Sequence, residues 1–231
     1  MLRLESIDAG YGRTRVLHSV DLAVPDGSTV ALLGANGAGK TTLLRVAAGL
    51  LPPTAGRVVV AGRPVGRRPA YARSRQGLCL IPEGRGIFRQ LTVRENLAMY
   101  AGGRRVDTAL QRAVEAFPIL GERMSQVAGT LSGGQQQMLA VCRALVVEAP
   151  LIMADELSVG LAPVIVDEIY TAIDALRRAG RSVLLVEQYV DRALAVADYV
   201  YILHKGRVAF VGEPDQCRDE HLFDRYVGSV A

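Results

Sequence analysis

Tryptophan is absent from this chain of 231 residues, and Phe and Tyr together make up only 5% of it. A core built from it must be aliphatic. Half of the residues are hydrophobic, which is enough for one sizeable domain. No uncharged apolar run approaches the ~18–20 residues that span a bilayer, so a membrane role would come through a partner. The opening MLRLESID carries charges and lacks the apolar stretch of a secretory leader, so a cytoplasmic protein is expected. Cys79, Cys142 and Cys217 are odd in number, far apart and without C-x-x-C spacing, which reads as buried free thiols. His18, His204 and His221 show no ligand spacing. Repeats, low-complexity tracts and long linkers are missing too. The net charge of +4 is spread along the chain without a basic stripe, so nucleic acid is not an expected partner. The sharpest shortage is lysine: Lys40 and Lys205 are the only two among 27 basic residues.

What is there alternates. LRLESID (2–8), RVLHSVDLAV (15–24), STVALLG (28–34) and GRVVVAG (56–62) read as strands, with a helix from TTLLRVAAGL (41–50). The middle reads as helical. Thr92 and Glu95 have capping-box spacing, Asp107 begins a further helix, and Ser132 and Gln135 form a second capping box before an apolar-periodic stretch. The last third predicts a strand at 151–154, a helix from Pro163 to about Arg178, a strand at 182–186 and a helix to Ala197. Strands at 199–203 and 207–211 and a C-terminal helix follow. Strands alternating with helices imply an α/β fold with a mostly parallel sheet, into which the helical middle is inserted.

Two stretches carry chemistry. Gly34-Ala-Asn36-Gly37-Ala-Gly39-Lys40-Thr41 fits G-x-x-x-x-G-K-[ST] and lies between an expected strand and an expected helix. Glycines let the backbone wrap a phosphate so that successive N–H groups point inward, and the helix N-terminus adds its positive end. Lys40 suits the terminal phosphates as a compact point charge, where the planar fork of an arginine would not fit. The Thr41 hydroxyl is placed to ligate Mg²⁺. LIMADE sets Asp155 and Glu156 at the end of an apolar strand, where open parallel sheets bind ligands. Asp155 suits a Mg²⁺ contact through water, and Glu156 suits orienting or deprotonating an attacking water.

With these residues and Leu131-Ser-Gly-Gly-Gln135, the chain resembles the nucleotide-binding subunits of ABC transporters over nearly its whole length. The resemblance implies a P-loop NTPase core, an N-terminal antiparallel β-subdomain and an inserted helical signature subdomain at about 84–148, all in a single ABC ATPase domain, 1–231. It implies that ATP is bound by Tyr11, Gly34, Asn36, Gly37, Gly39, Lys40, Thr41 and Thr42. Ser132, Gly133, Gly134 and Gln135 would close over the ATP of a second ATPase subunit, a copy or a paralogue, paired head to tail. Mg²⁺ falls to Thr41, Asp155 and Glu83, and catalysis to Lys40, Glu156 and Gln188. Transmembrane permease subunits would be the partners, on the inner face of the membrane. IPEGRGIFRQLTVRENL (81–97), SVGLAP (158–163) and LLVEQ (184–188) look like the LivF-type ATPases of branched-chain amino-acid importers, with urea importers as near relatives.

Against the general pattern, Glu83 stands where glutamine is usual, Gln188 where histidine is, Ala162 where aspartate is, and Leu157 where proline is. The first three departures raise an alternative, a regulatory subunit that binds ATP and turns it over poorly. A soluble ATPase acting on nucleic acid is disfavoured by the chain's length and weak basic patterning. The segment from Glu83 to Asn96, with Ile87 and Phe88 among Arg85, Arg89 and Arg94, is the expected docking surface for the permeases.

Overall fold

Two long strands open the chain, whose computed structural model describes residues 1–102, 105–187 and 190–217. β1 (Leu2–Tyr11) and β2 (Thr14–Val24) pair antiparallel around a two-residue turn, Gly12–Arg13. The first strand thus runs three residues past its expected end, and Tyr11 is its last residue. The cause is a register shift. Leu2 and Leu4 point inward at even positions, Ile7 and Ala9 at odd ones, and the parity changes across Ser6, whose φ is 49°. Such a bulge hides the period-2 signal. A second bulge at Ser19 faces it, and the two are tied reciprocally: Ser6 N–H donates to Asp21 (2.8 Å) and Ser19 N–H to Asp8 (2.6 Å).

After β3 (Thr29–Leu33) and α1 (Lys40–Ala48), β4 (Ala55–Val60) and the short β5 (Arg63–Pro64) complete an antiparallel sheet of order β2-β1-β4-β5. α2 (Ala70–Ser74) leads to β6 (Leu78–Ile81), a strand the alternation does not reveal, because a four-residue apolar run stopped by Pro82 matches a buried helix fragment as well as a strand. Between β6 and β7 (Leu151–Asp155) lie α3 (Val93–Ala101), α4 (Val106–Ala116), α5 (Pro118–Gly121), a 3₁₀ turn at Ala128–Thr130, and α6 (Gly133–Val147). Both expected capping boxes form, at Thr92/Glu95 and at Ser132/Gln135. The chain continues through α7 (Pro163–Arg178), β8 (Ser182–Val186), α8 (Val190–Val196), β9 (Tyr199–His204), β10 (Arg207–Gly212) and α9 (Pro214–Cys217). The expected C-terminal helix beyond Cys217, with His221, lies outside the described residues.

The second sheet has the order β10-β9-β3-β8-β7-β6 and is parallel except at its β10 edge. Its central strands are buried on both faces, so they read as unbroken apolar runs. Ala31, Leu33, Ile152, Ala154, Val183 and Leu185 face the core shared with α6, α7 and α8. Their neighbours Val30, Leu32, Leu151, Met153, Leu184 and Val186 face the core shared with α1 and the antiparallel sheet. This two-sided clamp sets the carboxyl ends of β3, β7 and β8 side by side at one edge of the molecule.

α1 is fixed at its far end by a buried guanidinium. Arg73 donates to the carbonyls of Val46 (2.7 Å), Ala47 (2.8 Å), Arg68 (3.0 Å) and Gly66 (3.0 Å). A cation on the last carbonyls of a helix meets the negative end of its dipole. Those charge-assisted bonds compensate a burial that pulls the Arg73 pKa down.

Candidate functional site

The loop from Gly34 to Gly39 leaves the carboxyl end of β3 and enters α1. Two of its glycines answer to space as well as conformation. A Cβ on Gly34 (φ 150°) would collide with the carbonyl oxygen of Leu203, and one on Gly39 (φ 106°) would lie 2.9 Å from the Leu17 side chain. Gly39 is the N-cap of α1 and offers no side-chain acceptor, and the first turn of α1 holds no acid. The helices that begin at Val93 and Gly133 both carry full capping boxes, so α1 alone of the three presents its positive end to the loop unscreened by a side chain. Asn36 and Gly37 are exposed on the loop, and Thr42 is buried behind it.

Lys40 is buried, and its Nζ donates to the carbonyls of Gly34 (2.7 Å) and Ala35 (3.3 Å), 3.8 Å from Glu156 Oε1. A lysine held on its own loop is positioned across the cradle and has further donors to offer an arriving phosphate. Thr41 Oγ1 donates to Asp155 Oδ1 at 3.4 Å. Burial, together with the nearby Glu156 and Glu83 carboxylates, pushes the Asp155 pKa up to about 6, against the opposing pull of Thr41 and Lys40. Residues distant in sequence, 40–41, 83 and 155–156, therefore converge on one acidic corner beside the glycine loop. Among the described residues no group of three His, Cys, Asp or Glu side chains forms a metal cage, and the three cysteines are free and buried.

Glu156 is half-buried and adopts φ 50°, in the left-handed region that few non-glycine residues visit. Its own N–H still donates to Val186 O (2.9 Å), one step past the last β7–β8 register pair. Leu157 and Ser158 then turn inward and are buried. Tyr11 is 44% exposed at the end of β1, and its hydroxyl accepts from Arg45 of α1 (3.1 Å).

Ser132, Gly133, Gly134 and Gln135 form the first turn of α6. Ser132 Oγ accepts from Gln135 N–H (3.3 Å), and Gln135 Oε1 accepts from Ser132 N–H (3.1 Å). A Cβ on Gly134 would sit 2.9 Å from Ile165, so α7 packs directly on that glycine. Sequence reasoning missed the cation here. Arg85, at φ 76°, lays its guanidinium along Gly133 and donates to Gln136 Oε1 at 2.6 Å, while buried Gln136 donates to Leu131 O (2.9 Å). Arg85 therefore braces the start of α6, where a basic rim on the loop was expected. Ile87 likewise packs against the core, while Phe88 is exposed. Gln188 lies outside the described residues.

The comparisons with known proteins agree with this geometry. Residues 17–159 match the family described as ABC transporter. The chain belongs to the ABC transporter family. Among curated relatives, the high-affinity branched-chain amino acid transport ATP-binding protein BraG of Pseudomonas aeruginosa is 43% identical over 90% of this chain and 91% of its own. The probable branched-chain amino acid transport ATP-binding protein LivF of Archaeoglobus fulgidus is 38% identical over 97% of each. A solved structure described as the ATP binding subunit of an ABC transporter superposes with a TM-score of 0.84 at 28% identity, covering 96% of this chain and 94% of that one. The chain is thus an ABC ATPase subunit with the α/β fold of that family. No described helix of this subunit is long and apolar enough to cross a membrane.

Proposed function

We propose that this ABC ATPase subunit hydrolyses ATP to drive an importer of branched-chain amino acids, from the inner face of the membrane. The observation that carries the substrate class is its likeness, over about nine-tenths of its length or more, to two relatives so named. In the mechanism, the loop N–H groups and Lys40 hold the β- and γ-phosphates, and the exposed Tyr11 ring stacks on the base. The hard oxygens of Thr41 and Asp155, 3.4 Å apart in a corner with an excess of carboxylates, fit Mg²⁺, and Glu83 flanks them. Mg²⁺ keeps most of its waters and needs few protein ligands, so these oxygens suffice. Bound there, it would neutralise charge on the phosphates. Glu156 orients the attacking water and takes its proton. Gln188, three residues past Leu185 of β8, can donate to the γ-phosphate but cannot shuttle a proton.

Ser132 and Gln135 close their box within the subunit; read from the family resemblance as a second anion site, this turn has no nucleotide of its own. A head-to-tail pair with a copy or paralogue gives it one. Permease subunits dock in a groove of about 450 Å³ lined by Leu50, Tyr71, Phe88, Met99 and Tyr100. Leu50 (57%), Tyr71 (67%) and Met99 (57%) are more exposed than large apolar side chains usually are, which supports an interface there. One experiment tests the engine. Glu156→Gln should bind ATP, stop turning over and accumulate as a dimer in size-exclusion chromatography, and adding Ser132→Arg should abolish that dimer while leaving monomer ATP affinity intact. Turnover by Glu156→Gln at the parental rate would overturn the catalytic reading. Loss of monomer ATP affinity in Ser132→Arg would overturn the head-to-tail reading.

A further inference from the structure

Glu187 is 1% exposed and stands one residue past the end of β8, outside the set of residues assigned to the site by sequence. A buried carboxylate needs donors, and this one finds them on the segment that follows Glu156. Its Oε1 accepts from Leu157 N–H at 3.1 Å, and its Oε2 accepts from the Ser158 hydroxyl at 2.5 Å. The Tyr170 hydroxyl of α7 is close by: burial, and after it the Glu187 charge, holds that phenol well above its usual range.

The bonds matter because of what precedes them. The β7–β8 ladder ends with Asp155 opposite Val186, and Glu156 N–H adds one more bond to Val186 O. Glu156 then breaks strand geometry at φ 50°. Without a partner the next N–H, that of Leu157, would be buried and unsatisfied. The Glu187 side chain continues the ladder across the break, and Glu156 is held between two consecutive bonds to the same strand end. The bond uses only the main-chain N–H of residue 157, which any residue but proline supplies.

We propose that Glu187 is a positioning residue for hydrolysis, clamping the backbone on the C-terminal side of Glu156 through Leu157 N–H and the Ser158 hydroxyl so that the Glu156 carboxylate is held in its attack geometry. The proposal rests on the catalytic reading of Glu156. Misplacing a reacting group by about 1 Å costs up to ~100-fold in rate. Glu187→Ala should therefore lower kcat of the assembled transporter by about tenfold or more, with KM for ATP within about twofold of the parent. Glu187→Gln keeps an oxygen for Leu157 N–H and should recover most of that loss. The double variant Glu187→Ala/Ser158→Ala should be no slower than Glu187→Ala alone, because the single variant already removes the Ser158 bond.

A parental kcat in Glu187→Ala would overturn the proposal. So would a loss shared equally by Glu187→Gln and Glu187→Ala and accompanied by weakened ATP binding, which marks a merely structural role. If Glu187→Ala does not fold, Ser158→Ala carries the same test, and parental turnover in it overturns the proposal. Glu156→Gln separates the two claims. Parental turnover there removes the catalytic reading itself, whereas an inactive Glu156→Gln beside a fully active Glu187→Ala removes only the clamp.

Discussion

At the scale of single residues, the site trades stability for chemistry. Asp155 is 3% exposed, and its carboxyl is pushed up to about 6 from an ordinary 3.8. The native state therefore holds the proton more tightly than the unfolded chain. The burial penalty is full above about pH 6, shrinks between 6 and 3.8, and is gone below 3.8. Asp155→Asn should consequently stabilise the nucleotide-free protein at pH 7 by on the order of 2 kcal/mol, read by urea denaturation with a chelator present. The gain should fade as the pH is lowered through 5, and a pH-independent difference would show that another interaction is responsible. The same variant should lose Mg²⁺-dependent turnover. Lys40, Thr41, Asp155 and Glu156 could be singled out as candidates because each sits in a short pattern with fixed local geometry, and the structure brings them to one corner. Glu187 could not, because its role depends on Leu157 and Ser158, which lie about thirty positions away.

At the scale of elements, helix termini mark where the chain invests and where it does not. α3 and α6 begin with complete capping boxes, and those were readable from Thr92/Glu95 and Ser132/Gln135. α7, 16 residues long, begins at Ala162 with no side-chain cap and no acid in its first turn. Ala162→Asp should supply both and raise the unfolding free energy by about 1 kcal/mol in denaturant titration. An unchanged midpoint would show that these N–H groups are already satisfied. β6 escaped the sequence because its four residues are too few to display a period, and the length of β1 escaped because a bulge reverses its parity. The Arg73 lock on α1 escaped for a different reason: its acceptors are all main-chain carbonyls, and a sequence carries no sign of which carbonyls need a donor.

At the scale of the whole molecule, the apolar groove joins the segment after β6 to the rest of the chain. Asn96 is buried and fixes that segment, accepting from Phe88 N–H (2.8 Å) and donating to Phe88 O (3.0 Å) and Thr92 O (2.9 Å). The Phe88 ring, 43% exposed with its centroid 6.5 Å from that of Tyr100, is thus presented on a rigid support. Phe88→Asp should leave the melting temperature and basal ATP turnover of the purified subunit near parental values. It should cut transport by the reconstituted complex by about tenfold or more, as expected on losing an interface anchor. Unfolding of the variant would assign Phe88 to the core instead. Sequence by itself determined the glycine loop between strand and helix, the acidic strand end, the family and the order of most elements, because backbone conformation and charge over a few consecutive residues suffice for each. Only the tertiary structure decided that Arg85 leaves the loop rim for the start of α6, that Ile87 turns inward while Phe88 stays out, and that Glu187 clamps the turn after Glu156. Those outcomes depend on which distant donors, acceptors and cavities the packed sheet brings together, and no local pattern encodes that.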